Sequence, residues 1–296
     1  MLKGIITPTI TIFDQDENID FAALEKHIEN LISGGVNGIL FLGSIGEFFA
    51  MTVQEKKKLI SFAVEKVDQR AKVLAGTGGN SAEEVIELSN YAAEAGVNGV
   101  ALITPYFFQF NQQTLFNYYD QIAPEIKTDI YLYNFPARSG ISLSAEVVYE
   151  LAQKHKNIVG IKDTLDSISH TRELIEKVKN RLEQDFAVFS GFDEYFLPNL
   201  LNGGNGLIGG LSNVVPALFA EFYSSYLNED FKKLKEISAK INTLMEIYSV
   251  SDPFFPAIKK ATALKNDDFY AGCKTPVKNL DKSQIKELNE ILKIVK

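Results

Sequence analysis

Eight short apolar runs, each followed by a stretch with helical spacing of apolar residues, restrict this chain more than any other feature. The runs are Gly4 to Phe13, Asn37 to Gly43, Lys72 to Gly76, Val100 to Pro105, Asp129 to Pro136, Ile158 to Thr164, Phe186 to Phe192 and Leu207 to Leu211. Most are continuously hydrophobic and rich in β-branched residues, the pattern of strands buried on both faces of a parallel sheet. Asp20, the capping boxes Thr52–Glu55 and Ser81–Glu84, and Ser144 mark helix starts between them. Eight strand–helix units over about 225 residues predict a closed α/β barrel, the (β/α)8 or TIM architecture.

An internal echo fits this reading. Gly34-Gly35-Val36-Asn37-Gly38-Ile39 returns as Ala95-Gly96-Val97-Asn98-Gly99-Val100 and again as Gly203-Gly204-Asn205-Gly206-Leu207-Ile208. Each copy puts a glycine where a helix ends and the next strand begins, a structural recurrence without chemical content. Residues 1–227 are expected to form the barrel. Residues 228–296 hold no strand pattern and are expected to form a C-terminal helical extension packed on it, with no Pro-, Gly- or Ser-rich linker between.

Charge and cysteine content exclude some functions. The formal net charge of −8, without a basic run, argues against nucleic acid and anionic membrane as partners. No apolar run approaches a membrane span. The start, Met1-Leu2-Lys3-Gly4, enters the first strand without a signal-peptide pattern, and the one cysteine, Cys273, has no internal partner. A cytoplasmic protein is expected. His27, His155 and His170 lie far apart and give no metal-ligand spacing. No metal and no cofactor is expected.

The sixth strand, Ile158-Val159-Gly160-Ile161-Lys162-Asp163-Thr164, carries a lysine near its C-terminal end. Burying an ammonium in a sheet is costly, so the amine either reaches water or a carboxylate such as Asp163, or serves as a nucleophile. Sites in such barrels lie at the C-terminal strand ends. There stand Gly43-Ser44-Ile45-Gly46-Glu47, Thr104-Pro105-Tyr106-Phe107, Tyr133 to Gly140 with Arg138, Lys162, Gly191-Phe192-Asp193-Glu194 and Ile208-Gly209-Gly210. That inventory suits carbonyl chemistry on an anionic substrate.

Three of these segments, GSIGE, YNFPARSG and GIKDT, in this order and on these strands, resemble the class I aldolase family of N-acetylneuraminate lyase and dihydrodipicolinate synthase. The similarity covers essentially the whole chain. NIVGIKDTLDS with the following His170 and Arg172, FLGSIGEF and SDPFFPAIKKA look closest to 2-keto-3-deoxy sugar acid aldolases within it. The resemblance implies a lyase that reversibly cleaves such an acid, of gluconate or galactonate type, to pyruvate and an aldehyde. Lys162 would form the Schiff base with the 2-keto acid. Tyr133 would shuttle protons, or else be a packed core tyrosine. Ser44 would relay protons to Tyr133, and the Ser44 and Ile45 amides would hold the substrate carboxylate. Glu47 would position that turn. Gly191, Asp193 and Ile208 would complete the substrate-binding set, and a homotetramer is the family habit.

Departures from the family pattern leave rivals open. Ile45 replaces a common hydroxyl residue. Phe107 replaces the second tyrosine of Pro-Tyr-Tyr, which the family supplies across a subunit interface. Arg138 suits the carboxylate of aspartate semialdehyde, as in dihydrodipicolinate synthase, or a surface ion pair. Asp193-Glu194 suits a polyol chain, as in N-acetylneuraminate lyase, or a solvated helix start. Gly210 stands where those lyases have serine. A non-catalytic keto-acid binder that kept the barrel is the reading from another class; intact Lys162 and Tyr133 argue against it.

Overall fold

The computed structural model describes residues 1–266 and 269–295. Its strands are β1 (Gly4–Pro8), β2 (Gly38–Phe41), β3 (Lys72–Gly76), β4 (Gly99–Ile103), β5 (Ile130–Asn134), β6 (Ile158–Asp163), β7 (Ala187–Ser190) and β8 (Gly206–Leu207). They close in chain order into a barrel of parallel strands. The expected (β/α)8 architecture is therefore the one observed. Strands β1, β2, β4 and β5 are buried along their whole length, which is why their sequences show little alternation.

The repeated Gly/Asn segment has a concrete mechanical role. Asn37 donates its N–H to Ile5 O (2.8 Å) and accepts the Ile5 N–H on its side-chain oxygen (2.8 Å). Asn98 does the same with Val73, at 2.7 and 2.9 Å, and Asn205 with Val188, at 2.8 and 3.1 Å. Each asparagine satisfies the unpaired amide at or near the start of the preceding strand and sets the register of its own.

The C-terminal ends of the first and eighth strands differ most from expectation. The first strand stops at Pro8 rather than Phe13, because Asn213 takes over the next backbone groups. Its Nδ2 donates to Pro8 O (3.0 Å), and its Oδ1 accepts from Ile10 N (3.1 Å). Phe13 instead forms an isolated antiparallel bridge with Ile19. The eighth strand is only Gly206–Leu207, and Gly210–Asn213 turns into a 3-10 helix.

The chain forms two compact units, one of Met1–Gly4 with Lys72–Ile208, the other of Ile5–Ala71 with Gly209–Lys296. The second contains helices Pro216–Leu227, Phe231–Leu244, Phe255–Lys265 and Lys282–Ile291. Phe231–Leu244 buries Leu234, Ile237, Ile241 and Leu244, a 3-4-3 spacing that packs it against Pro216–Leu227.

Candidate active site

In the unit built around Lys72–Ile208, β5 and β6 pair so that Tyr133 faces Lys162 and Asn134 faces Asp163. Side chains alternate along a strand. Asp163 meets His170, on the covering helix Ile168–Leu174, so Lys162 and Tyr133 turn the other way, into the barrel. Each is only 4% exposed. The Lys162 Nζ lies 4.3 Å from the Tyr133 ring centroid, a cation–π distance. Tyr133 is stacked on Phe135, with centroids 5.9 Å apart. The amine and the phenol ring singled out by sequence are thus in direct contact.

The neighbouring rim is tightly built. Gly191 N–H donates to Asp163 O (2.7 Å), and Ile208 N–H donates to Ser190 O (2.8 Å). A Cβ on Gly191 would fall 1.9 Å from Thr164 Oγ1, so only glycine fits. Asp193 opens the 3-10 turn Asp193–Tyr195 and is 1% exposed. Burial, reinforced by Asp166, pushes the Glu194 carboxyl up. The Tyr195 hydroxyl donates to Asp166, and that bond with burial pushes the phenol up to about 12. Arg138 sits in the short helix Pro136–Ser139, which the sequence reading did not anticipate. It is exposed, with its guanidinium 5.8 Å from the Phe135 ring centroid. Phe107 is 87% exposed, holds a left-handed backbone (φ 87°) and meets Phe108 edge-on at 4.9 Å.

Ser44 and Ile45 belong to the other compact unit, in the turn after β2. Leu42 and Glu47, on either side of Gly43–Gly46, both have φ 58°. Such left-handed residues are costly for side chains with a Cβ and persist where surroundings enforce them. Here Ser44 O accepts Glu47 N–H (3.3 Å), and Gly46 O accepts the Thr11 hydroxyl (2.8 Å). Glu47 is fully buried and bonded to Lys259. Ile45 is 5% exposed, and its Cδ1 would lie 2.5 Å from a Cβ on Gly210; the Tyr248 hydroxyl would lie 2.6 Å away. The two departures noted separately in the sequence therefore touch. Gly210 N–H also donates to the Tyr248 hydroxyl (3.1 Å). Tyr248 was missed by sequence reading, since nothing in its local pattern marks it.

No group of three or more His, Cys, Asp or Glu is arranged to hold a metal among the described residues. Nor, among them, is any helix long and apolar enough to cross a membrane.

A closed parallel barrel with a lysine and a tyrosine in contact at the C-terminal ends of adjacent strands defines the class, that of (β/α)8 barrels with an interior amine. The chain belongs to the dihydrodipicolinate synthetase family, whose pattern matches residues 1–295. It is 36% identical over 297 residues to "Putative 2-dehydro-3-deoxy-D-gluconate aldolase YagE" of Escherichia coli K12, covering 99% of this chain and 98% of that one. The crystal structure of YagE in complex with pyruvate matches with a TM-score of 0.96 at 35% identity, covering 99% and 98% of the two chains. "Probable 2-dehydro-3-deoxy-D-pentonate aldolase YjhH" of the same organism is 37% identical over 257 residues, 87% of this chain and 85% of that one. A 4-hydroxy-tetrahydrodipicolinate synthase of Hydrogenobaculum is 34% identical over 264 residues, 89% of each chain.

Proposed function

We propose that this chain is a Schiff-base aldolase that reversibly cleaves a 2-keto-3-deoxy sugar acid to pyruvate and an aldehyde. The observation that carries it is the buried contact between Lys162 and Tyr133. Lys162 attacks the keto carbon, and water leaves as the imine forms. The protonated imine draws electrons from the C3–C4 bond as the C4 hydroxyl loses its proton, giving an enamine and a free aldehyde; protonation at C3 and hydrolysis of the imine by water then release pyruvate and the Lys162 amine. Tyr133, beside the amine, carries protons to and from the carbinol and aldehyde oxygens. Ser44 and Ile45, in the anchored turn after β2, bind the keto-acid carboxylate through their amides. Gly191, Asp193 and Ile208 line the polyol end. The names of YagE and YjhH, and the pyruvate bound to YagE, support the substrate class.

The second reading is dihydrodipicolinate synthase, favoured by exposed Arg138 and by relatives of that name. N-acetylneuraminate lyase is third; Gly210, walled in by Ile45 and Tyr248, has no room for that family's serine hydroxyl. The same proposal includes a homotetramer, for which the exposed Phe107–Phe108 pair is the apolar surface to cover, and a cytoplasmic location consistent with a lone cysteine. It also takes residues 1–227 as the catalytic domain and 228–296 as its helical extension.

The test is to incubate the protein with pyruvate and borohydride and map the reduced adduct by mass. An adduct on Lys162 is expected; none at pyruvate well above millimolar removes the aldolase reading. Retro-aldol rates on keto-deoxy gluconate, galactonate and neuraminate, beside condensation with aspartate semialdehyde, then separate the substrates.

A further inference from the structure

The outward side of the Lys162–Tyr133 pair carries a closed ring of hydrogen bonds that the chemistry above does not use. Asn134 Nδ2 donates to Asp163 Oδ1 (2.7 Å), and Asp163 Oδ2 lies 2.9 Å from His170 Nδ1. His170 Nε2 lies 3.0 Å from Leu143 O, and Leu143 N–H returns to Asn134 Oδ1 (3.0 Å). Asn134 and Asp163 are the residues that follow Tyr133 and Lys162 and are register partners themselves. The side chain of Asp163 is 1% exposed and that of His170 12%. Leu143 and Asn134 also bound residues 135–142, the segment that carries Arg138.

We propose that Asp163 and His170 are positioning residues that fix the Lys162 amine against Tyr133 and close the base of the Arg138 segment. This deepens the aldolase reading and rests on it. Any slip between β5 and β6, or any tilt of either strand end, must break this ring before it can move the amine relative to the phenol. A displacement of even an ångström at reacting groups is costly to rate.

The ring also defines a protonation state. Leu143 O can only accept, and an ionised Asp163 can only accept, so both His170 nitrogens must donate and the ring is an imidazolium. Burial works against that charge, but the bond to Asp163, its negative charge, the Leu143 carbonyl and Glu173 outweigh it, and His170 is pushed up from its ordinary range. The elements packed around it carry further ionisable groups. Helix Ile168–Leu174 packs on β7, Phe196–Leu201 and Ala145–Lys154. The first two hold no ionisable side chain. On the third, Lys154 pairs with Asp120 (2.7 Å) and Glu146 with Lys177 (3.5 Å), and Tyr149 and Glu150 complete its ionisable set. In the π-helical segment that follows, Ile175–Lys179, Lys177 also holds Glu173 (3.3 Å), Lys179 bonds Gly203 O, and Glu176 is exposed.

Two measurements test this. Side-chain nitrogen NMR of histidine-labelled wild-type protein, with His170 assigned by its loss in His170→Gln, reads the ring directly. Both nitrogens still protonated at pH 6.5, the ordinary midpoint of an imidazole, is expected; a ring with one proton at that pH overturns the charged brace. In the second, borohydride trapping counts competent Lys162 sites, and turnover is expressed per trapped site. His170→Gln is expected to turn over about 10- to 100-fold more slowly per site, with KM little changed; wild type is expected to slow as pH rises through the folded value of His170, and the variant to lack that step. Equal turnover per trapped site means the pair only stabilises the fold and overturns the positioning role. Failure of the wild type to trap pyruvate at all would instead overturn the aldolase reading, and the nitrogen spectrum would still decide the state of His170.

Discussion

Glu47 and Lys259 meet with no solvent exposure on either side chain. Lys259 also donates to Gly272 O (2.9 Å) and lies 4.6 Å from the Phe13 ring centroid, while Glu47 accepts from Lys274 N–H (2.9 Å). This pair fixes the last residue of the Ser44–Glu47 turn. Removing one member leaves a buried charge without its partner, which costs about 3–5 kcal/mol. Lys259→Met is therefore expected to lose that much stability in urea unfolding. A change under about 1 kcal/mol would show that water or another cation replaces the lysine.

Cys273 stands beside this pair. Burial, together with the Glu47 carboxylate and against the pull of Lys259, pushes its thiol from an ordinary 9.0 up to about 12. Roughly a thousandfold less thiolate follows near neutral pH. Folded protein is expected to resist thiol-reactive dyes at pH 8 and to react at once in denaturant. Rapid labelling of the native protein would contradict this.

Gly210→Ser places a Cβ 2.5 Å from Ile45 Cδ1 and 2.6 Å from the Tyr248 hydroxyl. Overpacking of this kind costs about 1–3 kcal/mol. Shortening both neighbours, Ile45→Val with Tyr248→Phe, is expected to recover most of the loss. Strict additivity of the three changes in thermal unfolding would show that the contact has no energetic consequence.

Arg138 is exposed and leans on Phe135. Arg138→Ala is expected to cripple condensation with aspartate semialdehyde, where any is found, and to spare sugar-acid cleavage. Parallel loss of both rates would show that the guanidinium serves the sugar-acid reaction too.

His170 also makes stability depend on pH. Its folded value is raised above the ordinary 6.5, so its contribution is fully present below that value. It is lost as pH rises through the folded value. The stability difference between wild type and His170→Gln should therefore be largest below pH 6.5 and shrink as pH rises through the folded value. A difference that grows with pH would reverse the sign and refute the charged ring.

Much of this was legible in the sequence because strands buried on both faces leave continuous apolar runs, and β3 matches its run residue for residue. Lys162 was legible for the converse reason, as a charge where none should be. Strand ends were less so: the first strand stops at Pro8 because Asn213, more than 200 positions away, captures Ile10 N–H. The ring around Asp163 was illegible because one of its members, Leu143, takes part only through its backbone. Ile45 and Gly210 each read as a missing hydroxyl, and only three-dimensional contact shows them to be complementary.

The composition of the second compact unit governs the order of events during synthesis. Residues Ile5–Ala71 are made before the stretch Lys72–Ile208, and their partners Gly209–Lys296 after it. The stretch Lys72–Ile208 can therefore assemble while Glu47 still waits for a lysine 212 positions downstream. The turn proposed to hold the substrate carboxylate thus gains the buried partner of its last residue only once Lys259 has been made.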